Sequence, residues 1–160
     1  TPAIGFFALI AAAATISAWE YIRITCAKTL PVLPYVVTVL TFILVSVQYF
    51  LPEHLLTGLM GVSVALFLFT LFGYKDQDQA TRHLSSGITA MIYGGLMLGC
   101  FALMREHTGR LGPLFVIMML GIIWGSDTGA YFVGRAFGKH KLYPAVSPNK
   151  SIEGALGGVA

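Results

Sequence analysis

The sequence predicts an all-α fold: a polytopic transmembrane helical bundle of about five spans, followed by the start of another helix. Three observations carry this. Hydrophobic residues make up 56% of the chain and charged residues only 11%, against about 25% charged in a soluble domain. Uncharged stretches run over 1–19, 29–52, 54–74, 83–104 and 111–126, near the roughly 20 apolar residues that a span requires. The segments between them hold the breakers and the polar residues: Pro31 and Pro34, Pro52, the run Lys75–His83, and Thr108–Pro113.

Taken in order, the helices are expected at 2–22, 32–51, 55–73, 85–104 and 111–134. Trp19 and Tyr21 close the first and suit the aromatic belt at a membrane boundary. With 160 residues, the chain reads as a single partial membrane domain: transmembrane helices over 1–134, a basic cytoplasmic loop over 135–150, and the start of the next helix over 151–160. It opens on Thr-Pro-Ala-Ile and ends on Gly-Ala-Leu-Gly-Gly-Val-Ala, as a piece of a longer protein is expected to do. Cys26 and Cys100 lie without metal-ligand spacing and are expected as buried free thiols rather than a disulfide.

The basic residues orient the spans. If the helices alternate, Arg23, Lys28, Lys75, Arg82, Arg135, Lys139, Lys141 and Lys150 fall on one side, and only Arg105 and Arg110 on the other. That bias places the loop after 134 in the cytoplasm of a multi-pass protein of the cell's inner membrane. The pI of 9.0 therefore speaks for topology and anionic lipid. No basic-aromatic platform for stacking bases is present, so no nucleic-acid partner is expected.

The last span has two faces. Gly121, Gly125 and Gly129 recur every four residues, widened by Ser126 and Ala130. Small residues at this spacing let helices approach closely in lipid, within one subunit or across a homodimer. At about 100° per residue, Asp127, Tyr131 and Gly134 lie roughly opposite, flanked by Trp124 and Arg135. An ionisable residue near the end of a span lines a polar pathway or pairs at the interface; Arg135 and Lys139 are the partners at hand for Asp127.

Beyond Phe137 come Lys139, His140 and Lys141, then Ser147-Pro148-Asn149-Lys150-Ser151. Ser147 before Pro148 reads as an N-cap with proline in the first helical position. Such a terminus favours phosphate, with Lys150, Ser147 and Ser151 around it. The pattern is not a Walker A loop, because no glycine precedes Lys150 in the required place. His140 is expected as a solvated loop residue.

Residues 124–154 resemble the phosphatidate cytidylyltransferase family, the CDP-diacylglycerol synthases. The family pattern, roughly W-G-x-D-[ST]-x-A-Y-x-x-G-[RK]-x-F-G-K-x-K-L-x-P-x-[IV]-S-P-x-K-[ST]-x-E-G, is met by Trp124-Gly125-Ser126-Asp127-Thr128, Ala130-Tyr131, Gly134-Arg135, Phe137-Gly138-Lys139, Lys141-Leu142, Pro144, Val146-Ser147-Pro148, Lys150-Ser151 and Glu153-Gly154. The rest of the chain adds only Ala18-Trp19-Glu20-Tyr21, which is similar to a fragment of the family's early helices.

The resemblance implies transfer of a cytidylyl group from CTP to phosphatidate, giving CDP-diacylglycerol and pyrophosphate, with Mg²⁺ as cofactor. It implies Asp127, Lys150 and Glu153 as catalytic residues. Tyr131, Arg135, Lys139, Lys141, Ser147 and Ser151 would bind the substrates. The family's later block, S-x-x-K-R-x-x-x-x-K-D…P-G-H-G-G-x-x-D-R-x-D, is not in this sequence. The metal ligands are therefore expected beyond Ala160, and these 160 residues are expected to be inactive alone. Other readings are a different CTP-dependent lipid enzyme (a polyprenol or dolichol kinase, or a CDP-archaeol-type synthase), a membrane transporter in which Asp127 lines a pathway, and a structural scaffold.

Overall fold

The computed structural model describes residues 2–26 and 31–159; Lys28 lies outside them. The chain forms two compact units, Thr1–Gly109 and Arg110–Ala160. Among the described residues, five helical segments are long and apolar enough to cross a membrane: Ile4–Thr25, Leu33–Phe50, Pro52–Gly73, Gln77–Glu106 and Gly109–Phe137. The bundle expected from the sequence is the fold observed, and the protein is a multi-pass membrane protein.

In the first unit α1 (Pro2–Thr25) and α2 (Leu33–Phe50) pack side by side. Their buried positions form one stripe each: Ala11, Ala14, Ala18 and Ile22 on α1, and Leu33, Val37, Thr41, Leu44, Val45 and Gln48 on α2. That period of three and four is the signature of a helix with one packed face. A 3₁₀ turn at Pro52–His54 leads into α3 (Leu55–Gly73).

The fourth span starts earlier than expected. Lys75–His83 reads as a polar connection, yet α4 begins at Gln77. Asp76 caps it, its carboxylate accepting from the Asp78 N–H at 3.2 Å. His83, Gly87 and Ala90 then turn one face inward, so the polar residues occupy the outer face of an amphipathic first half. The helix continues through a π turn at Met91–Leu96 into α5 (Met97–His107). The π turn holds Gly94 and Gly95, which let it close on two neighbours: a Cβ on Gly94 would stand 3.3 Å from the Ala18 nitrogen, and one on Gly95 3.0 Å from Thr41 Cγ2. Just beyond it, Gln48 donates to the Leu96 carbonyl at 3.2 Å and to Cys100 Sγ at 3.6 Å.

Ring contacts fix the sense of the helices in this unit. Phe7 at the start of α1 stacks on Tyr49 at the end of α2, 4.7 Å between centroids. The Arg105 guanidinium at the end of α5 lies 4.9 Å over Phe6. Both neighbours of α1 therefore run antiparallel to it, which puts Arg23 and Arg105 at opposite ends as the charge count requires. Cys26 is a buried free thiol, but Cys100 is exposed: it lies at the edge of the contact with Gln48, correcting the expectation of burial for that residue.

A 3₁₀ turn at Gly109–Leu111 begins on the last residue of the first unit and leads into α6 (Gly112–Phe137) of the second. The segment expected as a loop over 135–150 is partly ordered: β1 (Lys141–Tyr143) and β2 (Ser147–Ser151) form an antiparallel hairpin. α7 (Ile152–Val159) follows at once and returns antiparallel along α6, with Ser126 Oγ donating to the Gly158 carbonyl at 2.6 Å and Gly134 beside Gly154.

Small residues make that approach possible. A Cβ on Gly129 would meet the Gly157 carbonyl oxygen at 2.5 Å, and one on Gly154 would meet the Ala130 oxygen at 2.9 Å. The packing line runs Ser126–Gly129–Ala130–Val133–Gly134. Within this unit Gly121 and Gly125 meet nothing, so only the lower end of the expected glycine strip packs here, and Gly134 belongs to that face as well as to the polar one.

Candidate functional site

Ser147 does not cap a helix. It pairs with Tyr143 across the hairpin, as Ser151 pairs with Lys141. Between those two pairings β2 has two more residues than β1, so the strand bulges over Pro148, Asn149 and Lys150. Proline has no N–H to give the ladder and is confined within sheets to edges and bulges. A bulge re-aims its side chains, and here Asn149 and Lys150 both line a cleft.

The helix cap falls four residues later than the sequence suggests. Ser151, buried, accepts from the Gly154 N–H through its hydroxyl at 3.2 Å, and α7 starts at Ile152. The hairpin pre-empts the Ser147-Pro148 signal, because strand pairing holds 147–151 extended until Ser151 supplies the cap.

The cleft has a volume of about 630 Å³, within the usual range of about 300–1,000 Å³ for a small-molecule site. α6 forms one wall with Asp127, Ala130, Tyr131, Gly134 and Arg135. These positions recur at the three- and four-residue spacing of a single helix face. The hairpin gives Leu142, Ser147, Asn149 and Lys150, and the start of α7 gives Ser151, Gly154 and Ala155.

Six of the residues expected at the site are thus brought together: Asp127, Tyr131, Arg135, Ser147, Lys150 and Ser151. Lys139, Lys141 and Glu153 stand outside the lining. Asn149 and Leu142 line the cleft without having been singled out by the sequence. The available signal for Asn149 was Pro148, whose place beside it marks a strand bulge.

Arg135 is oriented by its own helix: its Nη1 donates to the Tyr131 hydroxyl at 2.9 Å, one turn back. Asp127 lies eight residues from Arg135, roughly 12 Å along the axis, and among the described residues it forms no ion pair. Asp127 therefore holds one end of the cleft, and Arg135 the other.

Glu153 has a different task. Its carboxylate accepts from the Lys139 N–H at 3.1 Å and the His140 N–H at 3.2 Å, and contacts His140 Nδ1 at 2.6 Å. The His140 carbonyl in turn accepts from the Ile152 N–H at 2.9 Å. His140 is exposed yet partnered. The His140 hydrogen bond, with help from the backbone N–H groups, holds the Glu153 carboxyl down to about 2.

These bonds decide what the start of α7 can offer an anion. The Ile152 and Gly154 N–H groups are already committed, to His140 and to Ser151. A phosphate in the cleft would meet side chains instead: Lys150, Arg135, the Asn149 amide and the Ser147 hydroxyl. The donor set does not fit a divalent cation. Asp127 is the sole carboxylate of the lining, Glu153 is engaged elsewhere, and among the described residues no group of three metal-ligating side chains converges.

Comparison with known proteins follows the same line. The sequence profile of the Cytidylyltransferase family matches residues 1–160. The chain belongs to that family. It is similar to the phosphatidate cytidylyltransferase of Bacillus subtilis, 32% identical over 160 residues, covering 96% of this chain and 58% of the relative. With the Pseudomonas aeruginosa enzyme of the same name it is 35% identical over 167 residues, covering 97% of this chain and again 58% of the relative. A Staphylococcus aureus phosphatidate cytidylyltransferase is 51% identical over 53 residues, 33% of this chain and 20% of that one. The chain therefore spans less than two thirds of the curated relatives it matches over most of its own length.

Proposed function

We propose that this chain is part of a phosphatidate cytidylyltransferase, and that the cleft between α6 and the hairpin holds the CTP phosphates at the cytoplasmic face of the inner membrane. The observation that carries the reading is the convergence of Arg135, Lys150, Asn149 and Ser147 on one cleft at the end of a membrane span. Family membership supports the reaction class.

In the reaction, a phosphate oxygen of phosphatidate attacks the α-phosphorus of CTP. The bond from that phosphorus to the bridging oxygen of the β-phosphate breaks, and pyrophosphate leaves with the electron pair. A phosphate monoester is already anionic near neutral pH, so the nucleophile needs no general base. What it needs is alignment and relief of charge repulsion. Lys150 and Arg135 neutralise the triphosphate and the pyrophosphate that departs, while Lys139 and Lys141 raise the local concentration of both anions. Asp127 holds the far end of the cleft, where it orients an incoming cation. Glu153 acts through the backbone of Lys139 and His140, keeping the hairpin in place.

Mg²⁺ would supply further neutralisation of phosphate oxygens. Its requirement is part of the proposal for the full-length protein, since the described residues do not form its site.

The test is Lys150→Ala and Asp127→Asn in the full-length protein, assayed in membranes for CTP-dependent conversion of labelled phosphatidate. Loss of at least about 100-fold in the lysine variant is expected for removal of a charge-stabilising donor. Near-native turnover in both variants would remove the assignment, and chromatography of the labelled product separates this reaction from lipid phosphorylation. Labelling of a cysteine at Lys141 from outside the cell would overturn the cytoplasmic placement.

A further inference from the structure

The hairpin ends in a tip that does not suit water. Between β1 and β2 the chain reads Leu142-Tyr143-Pro144-Ala145-Val146, a turn closed by the Val146 N–H donating to the Tyr143 carbonyl at 3.2 Å. Leu142, Tyr143 and Val146 are 48%, 60% and 76% exposed. Solvated turns are built from Gly, Asn, Asp, Ser and Pro, and consecutive exposed apolar residues are an error in a soluble surface unless they have a use.

Two further features say what covers the tip. The first is position. α6 is the last membrane-spanning segment found, and it ends at Phe137, itself 67% exposed. Tyr143 is six residues further on, at most roughly 20 Å of extended chain, while the headgroup layer adds about 5–8 Å to each side of the hydrocarbon core. The tip must therefore either project into water or lie back in the interface. The second is charge. Lys139 and Lys141 enter the hairpin and Lys150 leaves it, and no acidic residue occurs from 138 to 152. Apolar side chains flanked by lysines match a surface of anionic lipid, with the lysine stems lying along the apolar layer and their ammonium groups at the headgroups. Tyrosine is at home at that depth.

We infer that the hairpin tip, Leu142 to Val146, is an interfacial anchor that inserts between lipid headgroups of the leaflet facing Lys141. Glu153 and Ile152 fasten the hairpin base to α7, so insertion at the tip sets the height of the cleft over the membrane. Leu142 belongs to both the tip and the cleft lining, which makes the anchor continuous with the site.

The experiment uses full-length protein with the exposed Cys100 replaced by serine, reconstituted in vesicles of phosphatidylethanolamine and phosphatidylglycerol. An environment-sensitive fluorophore is attached at Val146→Cys, at Tyr143→Cys as a second tip position, and at Lys75→Cys between two spans. The tip labels are expected to be quenched by lipid carrying a nitroxide high on its acyl chain. They should be at least about threefold less accessible to aqueous iodide than the label at 75, because an interfacial residue sits below the headgroups. Iodide quenching at both tip positions equal to that at 75 would overturn the inference. So would protection from iodide without quenching by the lipid nitroxide, which would mean that protein covers the tip. Neither readout involves CTP, so the result is separate from the fate of the nucleotide assignment.

Discussion

His140 and Glu153 are 13 residues apart in the chain and 2.6 Å apart in space. The contact joins the entrance of the hairpin to the first turn of α7. It also ties Glu153, which lies outside the cleft lining, to the hairpin that bears Leu142, Asn149 and Lys150.

Glu153→Gln keeps the size of the side chain and removes its charge, weakening three hydrogen bonds together. Backbone amide exchange at Lys139 and His140 is expected to rise roughly tenfold as the hairpin base opens locally, while the far-ultraviolet signal of the helices stays as it is. Unchanged exchange at both amides would show that the hairpin is held by its strand pairing alone.

The same contact gives a pH dependence with a defined sign. The Glu153 carboxyl is lowered from 4.5 to about 2, so between those values the unfolded chain binds more protons than the folded one. The carboxylate's contribution is complete above about pH 4.5 and is lost as pH falls towards about 2. Protection of the Lys139 and His140 amides should fall through that window in the native protein and stay level in Glu153→Gln.

Gly154→Ala should separate α7 from α6. Its Cβ would lie 2.9 Å from the Ala130 carbonyl oxygen and 3.0 Å from Gly134 Cα, and these are backbone atoms that cannot rotate away. A cost of about 1–3 kcal/mol is expected, as for other overpacked sites, read as a lower Tm in detergent. Gly61→Ala, where a Cβ meets nothing within 4 Å, should be neutral or raise Tm slightly through helix propensity.

Tyr131→Phe removes the hydroxyl that orients the Arg135 guanidinium and leaves its charge. On the proposed reading, KM for CTP should rise about two- to tenfold, the span expected for one hydrogen bond, with kcat little changed. A fall in kcat at constant KM would place Tyr131 at the reacting phosphorus instead.

Much of this was legible in the residues themselves. The spans follow from charge-free runs, and the wall formed by Asp127, Tyr131 and Arg135 follows from helical spacing. The hairpin was not legible, because Ser147-Pro148 carries a strong helix-start signal. It is overruled by pairing with Lys141–Tyr143, a contact that no local pattern announces. The start of α4 was missed for the opposite reason: Lys75–His83 is polar enough to read as a loop, and only the cap at Asp76 and the inward turn of His83 make it a helix. Glu153 enters the sequence reading only through the family resemblance, as a catalytic residue. Its partner His140 was invisible as such, since the hairpin creates their proximity.

The π turn at Met91–Leu96 has a consequence for the sequence that follows it. A wide turn is an extra residue absorbed without breaking the helix, so everything downstream is out of phase, by about 100°, with an uninterrupted helix begun at Gln77. Deleting a single residue between 91 and 96 would restore ordinary winding and leave Gly99 and Cys100 beside Gln48, whereas the undeleted sequence wound as a regular α-helix would swing them around the cylinder, away from it. A chain of unchanged length in which that turn wound as ordinary α-helix would keep its hydropathy profile, yet present the wrong side of α5 to its neighbours.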